Sequence, residues 1–252
     1  MPNARVIPCL LIDQGALVKT VHFKNQVYVG DPVNAVRIFN QKEVDELFLI
    51  DIAATISRSG IDFSTLEKIV TECFMPICYG GGVHSLEDMR RLYYLGIEKV
   101  SLSSSALANP QLVYTAASEF GNQAVVVTLD VKKNFFGKYT VRTNRGKSDT
   151  KRSPVDVARE MERAGAGEIL LYSIDRDGTW SGYDLPLIKE VSRAVSIPVV
   201  ACGGAGELSH LRAAVNEGAS AVAIGSMAVF QAKDLGVLIR FPTREQQEKT
   251  FE

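Results

Sequence analysis

The sequence predicts an α/β protein that folds as one (β/α)₈ (TIM) barrel domain over residues 1–252. Three observations support this. The chain of 252 residues has the length of a typical single barrel. Short, nearly continuous apolar runs alternate with amphipathic segments, a pattern typical of a parallel sheet covered on both faces by helices. The two halves of the chain also repeat one another.

The predicted elements follow in chain order. Eight apolar runs predict the barrel strands, namely VIPCLLI, ELFLID, MPICYG, KVSLS, AVVVTLD, EILLYSID, IPVVACG and AVAIGS. Helices are predicted between them in segments such as SLEDMRRLYYLG, PQLVYTAASEFG and PVDVAREMERAGA, several of which reach a glycine as helix C-caps do. The segment KKNFFGKYTVRTNRGK (132–147) alternates like a β-hairpin. It either covers a site near Asp130 or is a simple insertion.

The repeat has a single ungapped offset of 122 positions, which places Glu46 on Glu168. The same offset matches Gly, Pro, Asp and Ser residues along about 60 positions. The matched pairs are Gly60 and Gly182, Asp62 and Asp184, Pro76 and Pro198, Gly81 and Gly203, Gly82 and Gly204, Gly96 and Gly218, and Ser104 and Ser226. We therefore expect two half-barrels, at about 1–120 and 121–240, and ligand sites that come in pairs.

Two glycine-rich loops are the first candidate sites. YGGGVHS follows the third strand, CGGAGELS follows the seventh, and the next strand of each half ends in SLSSSA or AIGSMA. Glycine lets the backbone approach an anion closely, and the helix that follows points free N–H groups at it. Glycines that only make tight turns are the alternative. The repeat favours two phosphate sites for an elongated bisphosphate, at Gly81, Gly82, Ser103 and Ser104 and at Gly203, Gly204, Gly225 and Ser226.

A third polar loop, SIDRDGTWSGYD, follows the sixth strand. Active sites of such barrels lie at the C-terminal ends of the strands, so this loop, with Asp175, Arg176, Asp177, Gly178 and Thr179, is a candidate substrate contact.

The composition excludes several classes of function. The net charge is −1 without a basic run, which argues against nucleic-acid and membrane partners. No export signal is visible, and the four cysteines lack metal-ligand spacing or a disulfide pattern. We expect a cytoplasmic protein that acts on a small phosphorylated substrate, with no metal and no cofactor.

The chain resembles the HisF family, the cyclase subunit of imidazole glycerol phosphate synthase, over about 230 residues. The stretches that carry the resemblance are CLLIDQGALVK, GDPV, ELFLIDI, GGGVHS, EKVSLSSSAL, FGNQAVVVTLD, GAGEILLYSIDRDGTWSGYD and ACGGAG. The resemblance implies a heterodimer with a HisH-like glutaminase that docks on the bottom of the barrel. Ammonia then crosses the barrel to the top face, where a ribulosyl bisphosphate aminoimidazole is cyclised and split.

The resemblance also implies roles for individual residues. Asp130 matches a catalytic aspartate, and Lys19 matches a lysine on a mobile loop after the first strand. Ser103 stands where the family usually has asparagine, and Tyr172 replaces a smaller residue. Four charges that each precede a strand match the ammonia gate of the family, although a purely stabilising ring of ion pairs is the alternative. These charges are Arg5, Glu46, Lys99 and Glu168.

One position departs from the family in a way that affects the chemistry. Leu11 occupies the place of the second catalytic aspartate, and leucine cannot transfer a proton. Asp13 is two residues further on the same strand face, but it would need the strand end to rearrange.

Three functions therefore stay open. The first is a cyclase subunit that uses Asp130. The second is an ammonia conduit with weak or no cyclase activity, which resembles divergent HisF-like proteins that supply a third, ATP-using enzyme in surface-polysaccharide (lipopolysaccharide) sugar amination. The third is a phosphoribosyl aminoimidazole isomerase, which Leu11 disfavours equally.

Overall fold

A computed structural model describes residues 4–54 and 60–252. The strands, in chain order, are β1 (Arg5–Asp13), β2 (Ala16–Val21), β3 (Lys24–Gly30), β4 (Leu47–Asp51), β5 (Ile77–Gly80), β6 (Lys99–Leu102), β7 (Val125–Lys133), β8 (Tyr139–Thr143), β9 (Ser148–Asp149), β10 (Glu168–Ser173), β11 (Val199–Cys202) and β12 (Ala221–Ile224). The described helices of the barrel wall are α1 (Pro32–Gln41), α2 (Phe63–Thr71), α3 (Leu86–Leu95), α4 (Ser104–Ala108), α5 (Pro110–Phe120), α6 (Pro154–Arg163), α7 (Leu185–Ser192), α8 (Leu208–Asn216) and α9 (Ser226–Val229). A tenth, α10 (Arg244–Phe251), follows near the C-terminus.

Eight of the strands form a closed parallel barrel. Their order is β1, β4, β5, β6, β7, β10, β11 and β12, and β12 pairs with β1 to close the ring. Each of the eight apolar runs in the sequence forms one of these strands, so the predicted fold class is confirmed.

The barrel strands are apolar in nearly every position because both of their faces are buried. Outward side chains such as Leu10 and Leu49 pack against the helices, whereas inward side chains such as Ile7 and Phe48 fill the barrel interior. A continuous apolar run is what a strand between a helix layer and a packed interior requires.

The helices begin at polar caps that repeat between the two halves. Asp62 caps α2 by accepting a hydrogen bond from the backbone N–H of Thr65, and Asp184 caps α7 through Leu187. None of the described helices is both long and apolar enough to cross a membrane.

Two additions rise from the C-terminal end of the barrel. The segment after β1 folds back as a β2–β3 hairpin that pairs antiparallel with β1, so it is a hairpin rather than the expected loop. β7 continues into the antiparallel strands β8 and β9, which confirms the hairpin predicted from the alternation of 132–147.

The glycine loops show why the repeat keeps its glycines. Gly81 has a φ of +111°, and a Cβ built on it would lie 2.1 Å from the carbonyl oxygen of Asp51. Gly203 has a φ of +95°, and its Cβ would lie 2.6 Å from the carbonyl oxygen of Ser173, the equivalent residue of the second half. Any side chain would push each loop off the neighbouring strand.

We therefore expect Gly81→Ala to lower the free energy of unfolding by about 2–6 kcal/mol, because left-handed strain of about 1–3 kcal/mol adds to overpacking of similar size. Gly137→Ala is the matched control, since Gly137 also has a positive φ of +75° but has nothing within 4 Å of the added Cβ. The control should lose only about 1–2 kcal/mol. Urea unfolding of both variants checks this, and equal losses would contradict it.

Candidate functional site

A cavity that is open to solvent lies at the C-terminal end of the barrel. Its walls come mainly from the first half-barrel, with contributions from the β2–β3 hairpin and the turn between β8 and β9. The lining residues that matter below are Leu11, Thr20, Phe23, Asp51, Gly81, Gly82, His84, Ser101, Ser103, Ser104, Thr128, Asp130, Asn144, Arg145 and Tyr172. A concave site in this position of a barrel is where ligands bind.

The first glycine loop faces this cavity directly. All four residues that the sequence assigns to the first phosphate site, Gly81, Gly82, Ser103 and Ser104, line it. The Oγ of Ser103 is buried and has no hydrogen-bond partner in the described part of the chain. Since a buried hydroxyl without a partner is costly, this oxygen is available for a ligand.

The second glycine loop is separated from the cavity. Gly203 and Gly204 are buried, and neither they nor Gly225 and Ser226 line the cavity. Lys19 lies at the neighbouring strand end, with its Nζ only 2.5 Å from where a Cβ on Gly225 would be. The two loops that the repeat predicts to be equivalent therefore differ in accessibility.

The segment after β10 packs against the second loop, since the N–H of Gly182 donates a hydrogen bond to the Gly204 carbonyl oxygen at 2.9 Å and a Cβ on Gly206 would lie 2.7 Å from the Trp180 carbonyl oxygen. The β2–β3 hairpin packs against that segment, and Asp177 holds the hairpin in place. The buried Asp177 carboxylate accepts hydrogen bonds from Thr20 Oγ1 at 2.7 Å, from the N–H of Phe23 at 3.1 Å and from Tyr172 OH at 2.9 Å. The neighbouring Gly178 leaves room for the hairpin, since its Cβ would lie 2.4 Å from the Thr20 carbonyl oxygen.

Two carboxylates line the cavity. Asp130 ends the barrel part of β7, and burial, followed by the nearby Asp177 carboxylate, raises its pKa from 3.8 to about 7. Asp51 ends β4, and burial raises its pKa as well, although its Oδ1 accepts hydrogen bonds from the N–H groups of Ala53 and Ala54. Asp13 lies beside the hairpin, paired with Ala16, and is not among the lining residues.

Leu11 forms an apolar part of the same wall. It is 3% exposed, pairs with Val18 of the hairpin and packs in the interior cluster with Tyr172. No proton-transferring group is present at this point, as the sequence indicates.

Below the cavity the interior changes from polar to apolar. Ser101 Oγ and Thr128 Oγ1 are 2.6 Å apart and form the polar floor. Beneath them the interior is filled by buried side chains, including Phe48, Cys78 and Val126.

The four predicted gate charges meet at the opposite end of the barrel. Lys99 Nζ lies 2.7 Å from Glu46 Oε1 and 3.1 Å from Glu168 Oε2, and Arg5 donates hydrogen bonds to both glutamates. Burial lowers the pKa of Lys99, but the two carboxylates outweigh it and raise the pKa overall. The ring is closed, and each charge in it is paired twice.

Several lining residues were not identified from the sequence alone. Asp51 is visible in ELFLIDI as an acid at a strand end, the same signal that identified Asp130. His84 follows the first glycine loop. Asn144 and Arg145 come from the β8–β9 turn, whose position over the cavity depends on tertiary packing.

Comparison with known proteins gives a consistent assignment. A family described as "Histidine biosynthesis protein" matches residues 5–233. The chain is 47% identical over 247 residues to the "Putative imidazole glycerol phosphate synthase subunit hisF2" of Pseudomonas aeruginosa, covering 96% of this chain and 97% of that protein. It is 44% identical over 253 residues to the "Putative imidazole glycerol phosphate synthase subunit HisF" of Leptospira interrogans, covering 100% of both. A hisF3-named protein of Vibrio vulnificus is 42% identical over 254 residues, covering 100% of this chain and 98% of that protein.

The raised pKa of Asp130 predicts a pH-dependent contribution to stability. Its folded pKa of about 7 exceeds the usual 3.8, so the folded protein binds the proton more tightly, and stability falls as the pH rises between these values. Asp130→Asn lacks this titration. Its free energy of unfolding relative to the wild type should rise between pH 4 and pH 8, by up to about 4 kcal/mol. Urea unfolding across that range measures the difference, and a constant difference would contradict the assignment.

Proposed function

Because this chain belongs to the histidine biosynthesis protein family, we propose that it is the HisF-type synthase (cyclase) subunit of an imidazole glycerol phosphate synthase complex. In that complex it receives ammonia from a HisH-type glutaminase. The observation that carries the proposal is that Asp130 and the first glycine loop line the same cavity. It brings together a group that transfers protons and a loop suited to a phosphate.

The reaction needs a proton carrier that works in both directions. Ammonia adds to a carbonyl carbon of the substrate, which forms a C–N bond and a carbinolamine; the carbinolamine then loses its hydroxyl as water. The Asp130 carboxylate takes a proton from the nitrogen, and the resulting carboxylic acid returns it to the departing hydroxyl. A pKa of about 7 suits both steps at neutral pH.

The first glycine loop supplies the substrate anchor. Backbone N–H groups at Gly81 and Gly82 and the unpartnered Ser103 hydroxyl bind one phosphate of the substrate. The second phosphate belongs on Gly203, Gly204, Gly225 and Ser226, beside the Lys19 ammonium. A bisphosphate reaches both loops when the hairpin releases Asp177 and lifts.

The gate and the interior supply the ammonia route. The ring of Arg5, Glu46, Lys99 and Glu168 closes the bottom of the barrel, so one ion pair must open for each ammonia that passes. Above it, Ser101 and Thr128 offer the first polar contacts before Asp130. A neutral molecule the size of ammonia crosses the apolar layer between them at a far lower cost than an ammonium ion.

A second candidate function is an ammonia conduit with little or no cyclase activity, serving a third, ATP-using enzyme that aminates a surface-sugar precursor. Leu11 favours it, because the wall that faces Asp130 lacks the second acid. The buried second glycine loop also favours it, because only the first of the two loops is open to the cavity. The isomerase has no specific observation in its favour.

Ammonium-driven turnover by the purified chain, without a glutaminase, separates the two candidates. The cyclase proposal expects turnover of the ribulosyl bisphosphate aminoimidazole substrate, a loss of about 10²–10⁴-fold in Asp130→Asn, and a gain in Leu11→Asp, because a second acid assists proton transfer. Asp13→Asn is the matched control and should keep the wild-type rate.

No turnover by the wild type or by Leu11→Asp, with the fold intact by circular dichroism, would contradict the cyclase and leave the conduit. Activity in Leu11→Asp alone would show that the leucine is what suppresses the chemistry, which also favours the conduit for the natural chain.

A further inference from the structure

The turn between β8 and β9 places a cation over the cavity. Arg145 lines the cavity together with the first glycine loop, and among the described lining residues it is the only Lys or Arg. Its guanidinium has no hydrogen bond and no ion pair within residues 4–54 and 60–252. The adjacent Arg142 differs, because it pairs with Asp149 at 3.1 Å.

The backbone at Arg145 is held in an unfavourable conformation. Asn144 to Lys147 form a β-turn closed by a hydrogen bond from Lys147 N–H to the Asn144 carbonyl oxygen. Its central residues Arg145 and Gly146 have φ values of +56° and +77°, the pattern of a type I′ turn. Such turns favour Asn, Asp or Gly at the position of Arg145, so an arginine there carries strain.

Packing fixes this turn above the cavity. A Cβ on Gly146 would lie 3.0 Å from Ile174 Cδ1 and 3.6 Å from Phe23 Cδ2, so the turn rests on the residue that follows β10 and on the tip of the β2–β3 hairpin. Phe23 lines the cavity and contacts Tyr172 edge to face, with ring centroids 4.9 Å apart. The strained arginine is therefore part of a rigid wall.

We propose that Arg145 is the cationic ligand of the phosphate bound at the first glycine loop, so that the β7–β9 extension clamps a phosphomonoester between Arg145 and Gly81, Gly82 and Ser103. A guanidinium forms paired hydrogen bonds with phosphate oxygens, whereas the backbone N–H groups of the loop bind from the opposite side. This inference rests on the phosphate loop of the proposed function, but it needs neither ammonia nor cyclase chemistry.

Other charged groups at the cavity point to the same role. Asp51 and Asp130 would repel a phosphate when ionised, and His84 is an exposed neighbour of the loop. A cation opposite the loop compensates this repulsion, and a charged phosphate ligand in turn satisfies the unpaired guanidinium.

The test measures binding of inorganic phosphate and ribose 5-phosphate to the full chain by calorimetry, with no ammonium and no glutaminase. We expect saturable binding by the wild type and a loss of at least tenfold in Arg145→Gln. Arg145→Lys should lose less, because it keeps the charge but not the paired hydrogen bonds. Lys147→Gln, an exposed cation on the same turn that does not line the cavity, should bind within about twofold of the wild type.

A further variant tests whether the loss of phosphate binding comes from a loss of folding stability. Arg145→Gly should lose binding to the same extent while its melting temperature stays the same or rises, because glycine relieves the left-handed strain. Wild-type affinity in Arg145→Gln, or no saturable binding by the wild type, would overturn the proposal. If phosphate binding depends on Arg145 but no cyclase turnover is found, the role of Arg145 stands and the cyclase proposal fails. The two proposals can therefore fail separately.

Discussion

The arrangement of the hairpin at the C-terminal end of the barrel depends on one buried carboxylate. Asp177 accepts hydrogen bonds from Thr20, Phe23 and Tyr172, and hydrogen bonds to a charged group contribute about 1.5–3 kcal/mol each. Through them the β2–β3 hairpin is tied to the segment after β10, and its Lys19 lies against Gly225 at the end of β12. The first loop stays open, and Phe23 supports the turn that bears Arg145. Contacts between residues far apart in the sequence thus shape the site at this end of the barrel.

The similarity of the two half-barrels and the difference between their glycine loops have different physical origins. The repeat preserves backbone requirements, since Gly81 and Gly203 each pass against the carbonyl of an equivalent strand end and Asp62 and Asp184 cap equivalent helices. The asymmetry comes from what each half adds at the C-terminal end of its strands. The two glycine loops therefore share a backbone conformation but not their access to the cavity, which only the first loop lines.

The sequence predicted most of the frame and part of the site. The eight strands, the repeat, the strand-end position of both glycine loops and the position of Asp130 follow from local periodicity and from chemistry at strand ends. The equal access of the two loops that the repeat predicts is not found, since only the first loop lines the cavity. The hairpin at Lys19, the hairpin contacts of Asp177 and the place of Arg145 do not follow from local signals. They depend on contacts between segments distant in the sequence, such as Thr20 with Asp177 and Phe23 beside Gly146. Asp13 pairs with Ala16 and does not line the cavity, which agrees with the expectation that it could replace the missing acid only if the strand end rearranged.

In the proposed route, ammonia enters through the charge ring, crosses the interior and meets Asp130 without mixing with solvent. A labelling experiment tests this by combining the chain with a HisH-type glutaminase and glutamine labelled with ¹⁵N at the amide, in the presence of unlabelled ammonium. If ammonia takes this route, the imidazole product carries ¹⁵N and added ammonium barely dilutes it. Dilution in proportion to the free ammonium would contradict this route, because the nitrogen would then arrive from solution at the open cavity.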